Sequence, residues 1–405
     1  MLKKTVLLFL IVLLVPFVLF AQAKTGAERV AEMGRGINLG NVLSAPTEGD
    51  WSAPVTEQYF IDVAAAGFTN VRIPVDFFGT RTTGNWSGES TFDAPNFYSA
   101  SSGTSAQYTG ETFTINSTYL TRVEQVINWA LGQGLVTILD FHGEHLKSDF
   151  IKTFKVGEGA ETDPTSARRA ADNAKFRAIW TILADTFKDK DHKLVFEIIN
   201  EPYFYMSKAD MDTLNADILA IIRLEGNNPT RNIILTGGGQ TSYNAITQID
   251  PSLFGSSPNR LIGTFHYYNP YSFTSSSKVA TASGTLLDDM SWGEGANKAS
   301  DESTVDGHFA TVKTWATTQA SISSVPVFLG EFGADNTGGY NYSTGDLNAV
   351  SANSTTGFAD GGPDNTSKVA YMKYVAELAI TNGFAFAAWD AGPKSNKTIN
   401  KRTDS

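Results

Sequence analysis

Leu194-Val195-Phe196-Glu197-Ile198-Ile199-Asn200-Glu201-Pro202 is the stretch on which the reading of the whole chain turns. It is mostly apolar and rich in β-branched residues, as a strand buried on both faces of a parallel sheet is. Pro202 cannot donate to a strand ladder and stiffens the turn that follows. A carboxylate, Glu201, stands where strand meets turn. A second run repeats the pattern. Val325-Pro326-Val327-Phe328-Leu329-Gly330-Glu331-Phe332-Gly333 places Glu331 at the end of an apolar strand, between glycines that let backbone and ligand approach closely.

Six more strands read the same way: Gly36 to Leu39, Asn70 to Ile73, Val136 to Phe141, Asn232 to Leu235, Leu261 to Phe265 and Phe384 to Trp389. Helical stripes lie between them. Thr118 is expected to cap a helix carrying Leu120, Val123, Ile127 and Leu131 on one face. Phe176, Ile179, Leu183 and Phe187 form a second stripe, and Leu214, Ile218 and Ile221 a third. Val369, Met372, Ala376 and Ala379 form a fourth. Strands alternating with helices imply an α/β fold, and eight of them a (β/α)8 TIM barrel. An open doubly wound sheet is the alternative, but no G-x-G-x-x-G follows the first strand, and Gly237-Gly238-Gly239 lacks the lysine of a phosphate loop.

In a barrel all strand ends that precede a helix open onto one face, where active sites lie. That face would gather Glu201 and Glu331 with the other polar strand-end residues. These are Arg72, which if buried needs a carboxylate partner, His142, the run His266-Tyr267-Tyr268, and Trp389. Two strand-end carboxylates are what glycoside hydrolysis needs, one as proton donor and one as nucleophile or base. Groups ~5–5.5 Å apart retain anomeric configuration, and groups ~6.5–9.5 Å apart invert it. An aromatic residue beside them suits the apolar C–H face of a sugar. His142 and His145 are spaced for a helix rather than a strand end, so no metal site is expected. Long polar loops from Thr80 to Asn116, including Trp86, from Ser272 to Asp306 and from Asp335 to Asp364 would border the same face.

Composition narrows the function. The chain has 405 residues, 41% of them hydrophobic, and a formal charge of −11. An acidic surface disfavours nucleic acid and anionic membranes but not a neutral polysaccharide. The absence of cysteine excludes thiolate chemistry. Lys3 and Lys4, the apolar run Val6 to Phe20 and Ala21-Gln22-Ala23 read as a signal peptide over 1–23, leaving a catalytic barrel over 24–405. A secreted or periplasmic location is therefore expected. Fifteen residues follow Asp390, too few polar residues for an eighth barrel helix. The barrel is thus expected to be C-terminally incomplete, with the outer face of its last strand exposed.

Taken in order, these motifs resemble glycoside hydrolase family 5, the cellulase-type family of clan A, and its endoglucanase-like branch. The resemblance covers nearly the whole mature chain. It rests on Gly34-Arg35-Gly36-Ile37-Asn38-Leu39-Gly40-Asn41, Val71-Arg72-Ile73-Pro74-Val75, Asp140-Phe141-His142, Asn200-Glu201-Pro202, His266-Tyr267-Tyr268, Gly330-Glu331-Phe332-Gly333, Trp389, and Glu48-Gly49-Asp50-Trp51. It implies double displacement with Glu201 as acid/base and Glu331 as nucleophile. Asn200 would donate to the sugar 2-hydroxyl, and Arg72 and Tyr268 would support the nucleophile. His142, His266 and Asn41 would bind or support substrate, and Trp389 would lie under the cleaved sugar. The negative charge of Glu331 would favour a protonated Glu201. No cofactor and no metal are implied, and a monomer is expected. Gly143 and Ser44 stand where some members carry a histidine and a glutamate, which bears on substrate preference. The function so implied is a retaining endo-β-1,4-glucanase on cellulose or mixed-linkage β-glucan. The same frame serves β-mannanases and xyloglucanases, and a non-catalytic polysaccharide-binding barrel is the reading from another class.

Overall fold

A computed structural model describes residues 23–84, 113–154, 167–224, 226, 228–255, 259–275, 290–319, 324–335, 340–341, 358–359 and 363–392. Most of the expected signal segment, Trp86 with its loop tip, much of the other two long loops and the stretch beyond Gly392 lie outside the described residues. No described helix is long and apolar enough to cross a membrane.

Eight parallel strands close into a barrel: β1 (Arg35–Asn38), β2 (Asn70–Val75), β3 (Val136–Phe141), β4 (Leu194–Glu197), β5 (Ile233–Leu235), β6 (Leu261–Tyr267), β7 (Val327–Phe332) and β8 (Ala385–Ala388). Each pairs with the next in sequence, and β8 closes the ring on β1 with Gly36 opposite Ala387. The barrel expected from the strand pattern is therefore the fold.

Helix α1 (Gly26–Met33) precedes β1 and plugs the lower end of the barrel. A capping box between Thr25 and Glu28 starts it. Its Val30 and Met33 pack on Val136, Ile138, Val195, Ile234, Ile262 and Phe328 inside the barrel. The crossovers are α2 (Glu57–Ala65), α3 (Ser117–Gly132), α4 (Ala167–Thr186), α5 (Lys208–Arg223), α6 (Lys298–Thr317) and α7 (Asn365–Thr381). From β5 to β6 the described chain runs through short 3-10 turns, such as Ser242–Asn244 and Ile246–Gln248, instead of an α-helix.

Several local expectations shift. The cap of α3 is Asn116, whose side chain accepts from the Tyr119 amide, and Thr118 lies within the first turn. The third stripe is buried as expected on α5. The face of α7 that meets the barrel is Ser367, Tyr371, Val375 and Ala379, a strict i+4 row, while Val369 points to solvent. Tyr371 decides that rotation, because its ring packs edge-on against Trp292 and at a tilt against Phe273. The outer face of β8 is not exposed, since Phe386 and Ala388, which point away from the barrel interior, are both buried, Phe386 edge-on against Phe332.

The stripe on α4 anchors an aromatic cluster. Phe176 stacks on Phe141 of β3 at 5.0 Å and on Phe150 at 4.7 Å, with planes within 11° in both pairs. Phe187 belongs to the same buried face but lies just beyond the end of the helix. Trp180 fills the next position and donates its indole N–H to the Ile198 carbonyl at 3.2 Å. Because β3 carries His142 on its end, this packing sets the height of the site. Phe176→Ala is expected to cost about 3–5 kcal/mol through the cavity it leaves. Chemical denaturation should show a lower midpoint with an unchanged slope, and a midpoint like that of the wild type would remove the cluster from this role.

Candidate active site

Arg72 of β2 is wholly buried, and the upper end of the barrel is assembled on it. Its Nε and Nη2 donate to the two oxygens of Glu197 at 2.7 and 3.0 Å. Nη2 also meets Asp140 Oδ2 at 2.9 Å and Asn200 Oδ1 at 2.9 Å. Nη1 donates to Asn38 Oδ1 at 3.1 Å and to Glu331 Oε1 at 2.7 Å. The carboxylate partner that a buried arginine requires is thus three carboxylates, one of them the expected nucleophile. Burial alone would lower the guanidinium's pKa, but Asp140, Glu197 and Glu331 overcome it and raise the pKa well above its ordinary value. The sequence reading gave no site role to Asn38, Asp140 or Glu197. The signal was present in strand parity. Asp140 and Glu197 lie two residues above the barrel-interior Ile138 and Val195, so they face inward too.

Glu331 reaches this centre through a break in parity. Phe328 lies in the barrel interior and Leu329 outside it, so strict alternation would turn Glu331 outward. The β6–β7 register shifts between Phe265 and His266, so that Phe265 faces Leu329 but His266 faces Glu331. The extra residue is Gly330, a bulge that brings the carboxylate inward. A Cβ there would lie 2.9 Å from both His266 Nε2 and Thr264 Oγ1. The second oxygen of Glu331 accepts from the Tyr268 hydroxyl at 2.9 Å.

Glu201 is aimed by its backbone. It adopts a left-handed conformation, φ 44° and ψ 45°, where Pro202 begins a 3-10 turn. Its Oε1 accepts from the Tyr203 hydroxyl at 3.0 Å and pairs with His266 Nδ1 at 2.8 Å. Burial would raise this carboxyl, but the hydrogen bond and positive charge of His266 outweigh it and hold it well below the usual carboxylate range. Burial would likewise lower His266, and Glu331 and Glu201 raise it instead. The hydrogen bond and charge of His266 thus pull against the protonated Glu201 that the neighbouring Glu331 would favour.

His142 stacks against Trp389, with centroids 5.7 Å apart and planes 18° apart, and its Nδ1 meets Asp140 Oδ2 at 3.0 Å. Asp140 and Glu331 raise its pKa against the lowering effect of burial. His142, Glu201, His266, Tyr268, Glu331 and Trp389 line one cleft of about 630 Å³. Asn200 is held below it on Arg72. Asn41 is not among the residues lining the cleft. Its left-handed turn, φ 61°, directs its amide to the Ala391 carbonyl at 3.5 Å, so it ties β1 to the segment after β8.

Gly143 has a local cause. A Cβ at this position would lie 2.0 Å from Asp76 Oδ2, which accepts from the His145 amide at 2.9 Å. With Asp76 capping this turn there is no room for a second histidine. His142 and His145 engage different carboxylates, Asp140 and Asp76. Among the described residues, ligand atoms of Glu201, His266 and Glu331 come within 4.8 Å of one another. Each is already engaged by a neighbour, with Arg72 and Tyr268 on Glu331 and His266 on Glu201. That donor set fits proton transfer and charge pairing within the protein.

A (β/α)8 barrel with two carboxylates facing each other across the strand ends, beside an aromatic platform, defines the barrel glycosidase class of site. The chain belongs to the cellulase family, glycosyl hydrolase family 5, whose sequence model matches residues 30–395. It is 34% identical over 370 residues to Endoglucanase H of Acetivibrio thermocellus, covering 90% of this chain but 30% of that protein. It is 26% identical to Endoglucanase A of Paenibacillus barcinonensis, over 83% of this chain and 80% of the relative. Among solved structures, a hyperthermophilic endo-beta-1,4-glucanase in complex with substrate superposes with a TM-score of 0.65 at 26% identity, covering 94% of this chain and 95% of the other.

Two outcomes follow from the geometry. Gly330→Ala should push His266 and Thr264 aside and lower kcat about a hundredfold, the scale set by an ångström of misplacement. Steady-state kinetics beside a thermal melt would check it, and an active variant would show that the bulge has slack. The Glu201–His266 pair loses its proton as pH rises through the raised imidazole value. The alkaline limb of kcat/KM should therefore lie above the ~6.5 of an ordinary histidine. In His266→Gln that proton must sit on a carboxyl, so the limb should move to lower pH, and a limb that stays in place would separate His266 from the proton.

Proposed function

We propose that this chain is a secreted, retaining endo-β-1,4-glucanase. The observation that carries the reaction is the approach of Glu201 and Glu331, each with an oxygen within 4.8 Å of the other. That approach supports the ~5–5.5 Å spacing of retaining pairs over the ~6.5–9.5 Å of inverting ones. The internal β-1,4-glucan substrate is supported by the endoglucanase names of the relatives and by the substrate-bound endo-beta-1,4-glucanase structure. Export is supported by the signal-like segment, Lys3-Lys4 followed by an apolar run and Ala21-Gln22-Ala23.

In the first step Glu331 attacks the anomeric carbon while its two oxygens are oriented by Arg72 and Tyr268. The proton of the Glu201–His266 pair passes through Glu201 to the departing glycosidic oxygen. Glu201, again a carboxylate, then takes a proton from a water whose oxygen bonds to the anomeric carbon as the bond to Glu331 breaks. In this reading Trp389, in the cleft lining, supports the sugar at the reacting carbon, and Asn200, whose Oδ1 accepts from Arg72, donates to its 2-hydroxyl. A barrel that only bound polysaccharide would have no use for a donor on each oxygen of Glu331.

Reducing-sugar release by the mature chain on carboxymethyl cellulose, barley β-glucan, xyloglucan and galactomannan tests the reading. Release is expected on the first two, and Glu331→Gln should lower it at least about a thousandfold. Proton NMR of early products should show the β-anomer first. Early α-anomer would defeat retention, and release chiefly from xyloglucan or galactomannan would move the specificity.

A further inference from the structure

The end of the barrel opposite the cleft carries a group of cations that the reaction does not use. Arg29 lies on α1, His192 just before β4, Arg231 just before β5, Arg260 just before β6 and Arg223 at the end of α5. Asn232 joins two of them. Its Oδ1 accepts from Arg29 Nε at 3.1 Å, and its Nδ2 donates to the Arg260 carbonyl at 3.4 Å. The start of α1 is seated on the same segment, where the Gly26 amide donates to the Asn259 carbonyl at 2.8 Å. The charges are close enough to act on one another. Burial lowers the pKa of Arg29, and Arg260 lowers it further, against the opposing pull of Glu32 and Asp191. Burial and Arg260 bring Arg223 down to about 10. Burial, Arg231, Arg29 and Arg260 lower His192 against Asp191.

Hydrogen bonding separates these side chains into two kinds. Every nitrogen of the Arg231 guanidinium donates, to Asn228 Oδ1 and to backbone carbonyls that include those of Leu194 and Phe187. Arg29 is wholly buried, and its Nε and Nη1 reach Asn232 and Glu32, but its Nη2 has no partner among the described residues. Nε and Nη1 of Arg260 are buried without a partner as well, and so is Nδ1 of His192. A buried donor left unmade is costly, and more so on a charged group. The neighbouring carboxylates are committed elsewhere. Glu32 pairs with Arg29 Nη1, with Lys24 at 3.0 Å and with Lys193 at 3.5 Å. Glu28 caps α1 with Thr25, and Asp191 accepts from the Lys193 amide at 2.7 Å. A water would meet the donors without offsetting the charge, whereas an anion does both.

We propose that Arg29 and Arg260, with His192 beside them, form a binding site for a small inorganic oxyanion such as sulfate or hydrogen phosphate. A guanidinium presents parallel N–H groups that match two oxygens of such an ion, and the adjacent Nε and Nη1 of Arg260 are free to do so. The ion is a structural ligand. It ties α1, the plug of the lower end, to the segments that enter β4 and β6. It lies at the far end of the barrel from Glu201 and Glu331 and takes no part in glycoside cleavage.

Isothermal titration of sulfate and of phosphate into the whole chain at constant ionic strength tests the site, beside thermal melts in the same buffers with chloride as the reference. Each ion is expected to bind once per chain with a Kd of about 1 mM or below, and to raise the melting midpoint above that in chloride. Arg260→Gln removes two of the unmet donors and should weaken sulfate about tenfold or more, with loss of the sulfate-dependent rise. Arg260→Lys keeps the charge but not the planar fork and should weaken sulfate about threefold. It carries the comparison if the first variant does not fold. Hydrolysis of barley β-glucan should run at the same rate with and without saturating sulfate. An equal rise in the wild type and both variants would overturn the site, because sulfate then acts by general exclusion from the protein surface. Sulfate binding that survives in the variants, or that competes with the polysaccharide, would overturn it by placing the ion on other cations such as His142 and His266. Absence of binding to the wild type would overturn it outright.

Discussion

The Arg72 guanidinium is the interaction on which the upper half of this barrel depends. Moving an arginine from water into a protein interior is costly, and breaking a buried pair costs about 3–5 kcal/mol because one charge is left without compensation. The solution here is to surround it. Glu197 from β4, Asp140 from β3, Glu331 from β7 and Asn38 from β1 all converge on one side chain of β2. Five of the eight strands are thereby fixed at their functional ends by a single planar donor. Glu331 is oriented by the same contact that balances the charge, so the requirements of the fold and of the site coincide at one group.

Around that centre the chain departs from regular geometry in a few places. The bulge at Gly330 inverts the parity of β7, and Glu201 and Ser242 take up left-handed backbone at the same mouth. Such conformations cost about 1–3 kcal/mol each and persist where the surroundings over-determine them. The surroundings here are dense: stacked Phe141, Phe150 and Phe176 beneath β3, and Trp180 bonded to the backbone just before Asn200. The lower half of the barrel, a plain aliphatic plug closed by Val30 and Met33, carries none of this chemistry.

The proton arrangement shows how a nearby cation changes a carboxylate's role. Two carboxylates this close would by themselves keep one proton between them. His266 lies 2.8 Å from Glu201 and 3.6 Å from Glu331, and its hydrogen bond and charge favour the ionised form of Glu201.

Much of this was legible in the sequence. Buried parallel strands must be apolar on both faces, so all eight could be located, and a carboxylate ending such a strand stands out against its surroundings. Glu201, Glu331, His142, His266, Tyr268 and Trp389 come from five such strand ends, and the fold brings them to one cleft. The sequence left open what depends on contact between distant segments. It could not place Asp140 and Glu197 on Arg72, because their partner lies on another strand and only closure of the ring makes them neighbours. Nor could it foresee the rotation of α7, set by Tyr371 against Trp292, or the contact of His266 with Glu201. Local pattern determined which segments are strands and which residues end them, because burial acts on each strand alone. Register, parity and charge pairing were decided only by the closed barrel, because each is a relation between strands.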